Sequence, residues 1–347
     1  MYRLILGILV YYAIVNYGTS RGRLTSLMAG IVLAGFALAV FALISVQWLR
    51  ISKFPWMPLL GDQLSRIIVA DPVHPNVMAG NIAILLPCAL SLLIFAWVDL
   101  TNIQRLLILG AALFMGAIIL LTQSRSGILS LLVLATLLIS LRWRYAWLGF
   151  LSAFFLLAIG ILFFIDEPLV NIIIGGNVAL GWAERMDIWT RAIYMIQDHP
   201  LIGIGIGSFQ YVFDSFYPSL HYASGQIVHA HNLLLQIAID IGIPGLITWL
   251  ATWLALTVAA WGLYLQGRKQ GDNLFSALGG GLFVTQVVIL FGGLLDAVTW
   301  GTIRSAPLVW VLWGIIAAAI NFRSRTIPAR IFPAMGEFVE YQSPVGS

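Results

Sequence analysis

Apolar residues in this chain rarely alternate with polar ones; they run in long blocks broken by short polar turns. The blocks fall at 3–18, 25–47, 76–97, 104–122, 126–141, 145–166, 233–266, 275–297 and 302–320. A helix rises about 1.5 Å per residue, so blocks of this length cross about 30 Å of hydrocarbon. The pattern predicts an all-α, polytopic transmembrane helix bundle of about nine spans. The first block is short. The block at 233–266 is too long for one simple span, and Gly242-Ile243-Pro244-Gly245 is expected to break it into a short helix and a full one.

One stretch departs from the pattern. Residues 167–230 gather acids, prolines, glycines and most of the histidines, and divide the chain. The resulting organisation is an N-terminal bundle at 1–166, a large loop at 167–230, C-terminal membrane helices at 231–322 and a tail at 323–347. Within the loop, Ile188, Trp189, Ala192, Ile193 and Ile196 recur at helical spacing, predicting an amphipathic helix that lies on the membrane or caps the bundle. The "GIGIGS" stretch (Gly203, Gly205, Gly207) lacks the G-x-G-x-x-G spacing and the strand–helix setting of a nucleotide loop. It reads as a turn, with backbone N–H groups available to an anion as the alternative.

Composition agrees: 61% of residues are hydrophobic and 9% charged, where a soluble domain carries about 25% charged residues. Met1-Tyr2-Arg3 is a charged start, but no small-residue cleavage site follows it, so 1–18 reads as a span rather than a signal peptide. The net charge of +4 needs no nucleic acid to explain it. The basic residues orient the bundle instead. Arg21, Arg23, Arg105, Arg142, Arg144, Arg268, Lys269 and the tail Arg323, Arg325 and Arg330 all fall on one face, the expected cytoplasmic side. The opposite face then carries Arg50, Lys53, Arg66, Arg125, Arg185, Arg191 and Arg304. Arginines at helix ends commonly snorkel to the interface. Several on the non-cytoplasmic face also suit a polyanion, because the guanidinium fork donates two parallel hydrogen bonds and keeps its charge.

"QIVHAHNLLLQIAIDIGIPG" (226–245) sets His229, His231 and Asn232 at the lip of an apolar run. An unpartnered polar group entering such a run is costly, which argues for a task at His231. Zinc is not expected. His229 and His231, even with His221 or His199, lack a complete ligand set at metal spacing, and Asp214 and Asp240 are not grouped with them. Cys88, the single cysteine, excludes an intramolecular disulfide.

Three motifs in order resemble the O-antigen ligase and polymerase superfamily of bacterial envelope proteins. The first is "LTQSRSGILSL" with Arg125, and the second "RMDIWTRAIYMIQDHPLIGIGIGSFQ", with an arginine, a tryptophan and D-x-P-L-x-G-x-G. The third is His231-Asn232 followed by nine residues, Gly242, two residues and Gly245. "HPNVMAGNIAILLP" (74–87) is similar to the span before that family's catalytic half. The chain is short for the family and its spans start it on the outer face, so the resemblance expects further N-terminal membrane segments.

What the resemblance implies is an integral inner-membrane glycosyltransferase of the GT-C type, active on the periplasmic or external side. It would move a glycan from undecaprenyl diphosphate to a lipid A core or other acceptor, with inversion and without a metal or other cofactor. A polymerase of the same superfamily and a bicarbonate-like anion transporter are the alternatives. The residues fit such chemistry. The chain has 14 acids and no D-x-D, so fixed arginines are the available counter-charge for a departing diphosphate. Arg125 and Arg185 are the first candidates, Arg191 and Arg304 the next. His231 is the candidate base for the acceptor hydroxyl, with His229, Asn232 and Asp187 in supporting positions. Whether His231 takes the proton or only binds diphosphate or acceptor is left open.

Overall fold

The computed structural model describes residues 2–46, 73–143, 145–149, 178–219, 225, 227–301 and 306–326. Among these residues the chain is helical, with no β-strand. In order the helices are α1 (Tyr2–Tyr17), α2 (Arg21–Ser45), α3 (Pro75–Phe95), a 3₁₀ turn (Trp97–Asp99), α4 (Asn102–Leu121) and α5 (Arg125–Arg142). They continue with α6 (Val178–Asp198), α7 (Phe209–Phe216), α8 (Leu233–Gln270), α9 (Asn273–Leu295) and α10 (Pro307–Thr326). Seven of them, α2 to α5 and α8 to α10, are long and apolar enough to cross a membrane, and α1 is a shorter apolar helix. The protein is an integral membrane bundle. The block at 145–166 falls outside the described residues except for 145–149, as do Arg50, Lys53, Arg66, Arg304 and most of the tail.

Helices α3 and α9 form the centre. The spanning window of α9 is 78% buried and that of α3 72%, against 28% for α4 and α5. Lipid tails are as apolar as leucine, so tight packing rather than water exclusion holds such a core. The glycines of "LGGGLF" permit it: a Cβ at Gly279 would lie 2.2 Å from the Tyr264 backbone nitrogen of α8, and one at Gly281 2.4 Å from the Ser91 hydroxyl of α3. At one end of the bundle Arg21 pairs with Asp272 at 2.6 Å, the Arg268 guanidinium lies over Phe95, and Arg323 hydrogen-bonds Gln270. Basic residues assigned to a single face from their spacing thus meet at a single end.

Helix α8 breaks where expected. Gly242 has φ 74° and ψ 175°, outside helical space. Two backbone carbonyls before the break lose their usual donors: Pro244 has no N–H for Asp240, and the Ile243 N–H turns to the Pro200 carbonyl at 2.8 Å. The glycine-rich loop supplies the replacements. Ile204 N–H donates to the Ile239 carbonyl at 2.7 Å and Gly205 N–H to the Asp240 carbonyl at 3.1 Å. The "GIGIG" stretch is therefore a backbone plug for the kink, and these two N–H groups are not available to an anion.

Above the bundle lies a second, smaller core. Ile188, Ala192 and Met195 of α6 pack with Phe209 and Phe213 of α7, Ile227, Ala230 and Ile239 of α8. Helix α6 starts at Val178, several residues before the amphipathic pattern is evident. The buried stripe runs through 188, 192 and 195, and Ile193, one of the residues at helical spacing, is 45% exposed.

Candidate active site

The end opposite the Arg21–Asp272 pair collects the starts of α3, α5 and α8 and the finish of α9. Ser124 caps α5 by accepting from Gly127 N–H, and Asn232 caps α8 by accepting from the N–H groups of Leu234 and Leu235. The other end of the Asn232 amide donates to the Leu294 carbonyl at 3.3 Å. One asparagine thus starts α8 and ties it to the last turn of α9, which brings Asp296 beside the histidines.

His231 Nδ1 lies 3.1 Å from Asp296 Oδ1 and His229 Nδ1 3.7 Å from the same oxygen, with the two rings 4.2 Å apart. Asp296 is 3% exposed. Burial alone would raise its pKa, but the hydrogen bond from His231 and the charges of His231, His229 and Arg185 outweigh burial and hold it at about 2. It is a carboxylate and can only accept, so His231 Nδ1 carries the proton. In the neutral imidazole the lone pair is then on Nε2. Asp296 also accepts from Ala297 N–H at 2.9 Å and from Asn76 Nδ2 at 3.3 Å. Asn76 follows His74, the cap of α3, whose Nδ1 accepts from Asn76 N–H.

His229 takes a different state. Burial first, then the neighbouring charges of His231, His74 and Arg185, lower its pKa to about 4 against the pull of Asp296. Neutral His229 accepts the His231 N–H on Nδ1 at 3.2 Å. That bond helps hold His231 at φ 47°, a left-handed conformation that costs on the order of 1 kcal/mol in a non-glycine residue. One stability prediction follows. Between pH 6.5 and 4 the unfolded chain protonates this histidine and the folded chain does not, so stability present above pH 6.5 falls as pH drops. From pH 7 to 5 the loss from this group is about 2 kcal/mol. A melting series in detergent checks it: His229→Asn, which keeps an acceptor near Nδ1, is expected to flatten the decline.

His229, His231 and Asp296 each offer one metal-ligand atom, all within 4.8 Å of one another. Spacing alone did not anticipate this cluster, because the carboxylate comes from the far end of α9. The His229 lone pair already receives the His231 N–H, and Arg185 places positive charge against both His229 and Asp296. A cation would have to displace the first and oppose the second.

The other candidates separate. Arg185, half-buried on α6, acts electrostatically on His229 and Asp296. Arg125 is exposed in the first turn of α5, and the next residue, Ser126, shares a small cavity with Asp296, Ser130 and Thr299. Gln123, just before that turn, has φ 51° and a buried amide with no hydrogen-bond partner among the described residues. Arg191 pairs with Asp187 at 3.3 Å, and Asp187 also accepts from Ser219 at 2.5 Å, so this pair braces α6. Asp296, His74 and Asn76 are the residues sequence reasoning did not select. The last two were visible in "HPNVMAGN" as a polar entry to an apolar span; nothing in "FGGLLDAV" marked Asp296.

Residues 110–250 match the sequence profile of the O-antigen ligase family. Over that segment the chain is similar to O-antigen ligases. The segment spans Arg125, Arg185, His229 and His231, and ends before Asp296. No curated protein matches the chain. The family implies a membrane enzyme of the glycosyltransferase or ligase kind, acting on a glycan-linked lipid donor and an acceptor in the membrane.

Proposed function

We propose that this protein is an inverting, metal-independent glycosyltransferase that moves a glycan from undecaprenyl diphosphate to an acceptor hydroxyl at the external face of the inner membrane. The observation that carries the reading is the His231–Asp296 pair, a histidine with Nδ1 on a buried carboxylate and no hydrogen bond on Nε2 among the described residues, at the mouth of a membrane bundle. In the reaction His231 Nε2 takes the proton of the acceptor hydroxyl as its oxygen bonds to the anomeric carbon. The bond from that carbon to the phosphate oxygen breaks, and its electron pair leaves on the diphosphate. Asp296 stabilises the imidazolium, as the carboxylate does in a hydrolase triad. Arg185, together with Arg125 and the start of α5, offsets the charge on the departing diphosphate. A lipid A core acceptor makes the protein a ligase; a second lipid-linked glycan makes it a polymerase.

The test is turnover in lipid. Purified protein would be given an undecaprenyl-diphosphate glycan and each acceptor, with and without chelator, beside Arg125→Ala and Arg185→Ala. Transfer that survives chelation and falls in folded arginine variants is the expected result, and the acceptor extended separates ligase from polymerase. Transfer abolished by chelator and restored by a divalent cation would overturn the metal-free mechanism. Anion flux into sealed vesicles, with no acceptor modified, would replace the enzyme by a carrier.

A further inference from the structure

Ala230 stands between the two histidines, and both of its backbone groups are held. Its carbonyl accepts from Trp189 Nε1 at 3.0 Å, and its N–H donates to Gln236 Oε1 at 2.8 Å. The remaining end of the Gln236 amide, Nε2, donates to Asp240 Oδ1 at 2.9 Å. The second oxygen of Asp240 accepts from Trp300 Nε1 at 3.0 Å. Trp300 lies four residues beyond Asp296, on the turn that closes with Gly301 at φ 71°. An unbroken line of buried hydrogen bonds therefore joins the loop carrying His231 to the loop carrying Asp296.

The polarity of this line is determined at each station. A backbone N–H can only donate, so it fixes the carbonyl end of Gln236 toward Ala230 and turns the NH₂ end toward position 240. An indole N–H also can only donate. Position 240 thus receives two donors and must present two acceptors, a requirement that carboxylate meets and carboxamide does not. Asp240 is 2% exposed and Gln236 5%, so water has little access to repair a mismatch. Behind the line is a cavity of about 60 Å³ shared by His229, Gln236, Asp240 and Trp300.

We propose that Asp240 and Gln236 are positioning residues: together they set the left-handed His231 backbone against Asp296 by clamping the two loops at a fixed separation. This inference rests on the reading of His231 as the base. Neither residue touches substrate; both act through Ala230 and Trp300. The distance they govern is the one between imidazole and carboxylate, where a displacement of about 1 Å costs on the order of 100-fold in rate.

A paired exchange tests the line. Asp240→Asn puts a donor against either Gln236 or Trp300, and Gln236→Glu puts one carboxylate against another. Each single variant is expected to lower kcat by about 100-fold with little change in donor KM. Both are expected to speed amide hydrogen exchange in the peptide containing Ala230. The double variant Gln236→Glu/Asp240→Asn rebuilds every bond, keeping the direction of the two outer ones and reversing the middle one: Ala230 N–H to Glu, Asn NH₂ to Glu, Trp300 N–H to the Asn carbonyl. It is expected to recover most of the rate and the slow exchange. Folded single variants at parental kcat and exchange would overturn the proposal, and so would a folded double variant no better than its worse single. If the parent protein moves no glycan, the catalytic reading fails, and exchange at Ala230 in the four proteins decides the brace alone.

Discussion

Replacing His231 by glutamine is expected to lower kcat for glycan transfer by about 10³-fold, within the range that a positioned acid or base supplies. Glutamine keeps a donor and an acceptor but cannot take a proton near neutral pH. Its neighbour gives the complementary result. Asp296 accepts from His231 and Ala297 on Oδ1 and from Asn76 on Oδ2. In Asp296→Asn one of these faces becomes a donor. Turned toward Asn76 it opposes that amide; turned toward His231 it favours the tautomer with the proton on Nε2, where no base remains. In both orientations the charge that stabilises imidazolium is gone, and a loss on the order of 10²–10⁴-fold is expected. Single-turnover rates at saturating donor measure both. A His231→Gln variant that is folded and within tenfold of the parent would remove the base from the mechanism and leave His231 a binding role.

The second large effect lies in the scaffold. Gly203→Ala and Gly242→Ala are each expected to cost about 3–5 kcal/mol, from left-handed strain in alanine together with buried backbone groups losing their partners. A Cβ on Gly203 (φ 68°) would lie 2.4 Å from the Ile239 carbonyl oxygen, and one on Gly242 (φ 74°) 2.3 Å from that of Leu201. Those contacts are backbone against backbone, so no side chain can move aside. The loop would lift, and the Ile239 and Asp240 carbonyls would lose the N–H groups of Ile204 and Gly205. The control is Gly262→Ala in the same helix, where nothing lies within 4 Å of the added carbon; it is expected to be neutral or to stabilise by about 0.5–1 kcal/mol. Melting midpoints in detergent report all three. A Gly203→Ala protein that melts with the parent would mean the loop does not need its seat on α8.

Much of this architecture is written in local pattern. Apolar blocks, the basic turns between them and the Gly-Ile-Pro-Gly break are properties of neighbouring residues, and hydrocarbon leaves a helix few alternatives. His231 and Asn232 were legible for the same reason, as polar groups at the edge of an apolar run. Asp296 was not. It is 65 positions from His231, and its sequence neighbours say only that a span has ended; α9 folding back along α8 is what makes it a partner. The glycine-rich loop is legible as a turn, but whether its N–H groups face a ligand or a carbonyl depends on Pro244, some forty residues away. Asp240 looked isolated because a lone acid in an apolar helix has its partners at i−4 and on another loop.

The unequal burial of the helices separates the site into two mechanical parts. Asp296 follows the last residue of α9 and Asn76 lies in the first turn of α3, the enclosed helices, whose spanning windows are 78% and 72% buried. Arg125 begins α5, whose spanning window is 28% buried within the protein. A bilayer thicker or thinner than the apolar span acts on helices through the surface they expose to it, by tilting or shifting them. Such a strain falls on α5 and its arginine far more than on the imidazole–carboxylate pair. Under the proposed mechanism, membrane thickness is expected to tune how the donor is gripped while leaving the proton-transfer geometry alone, so that two steps of one reaction answer to different properties of the surrounding membrane.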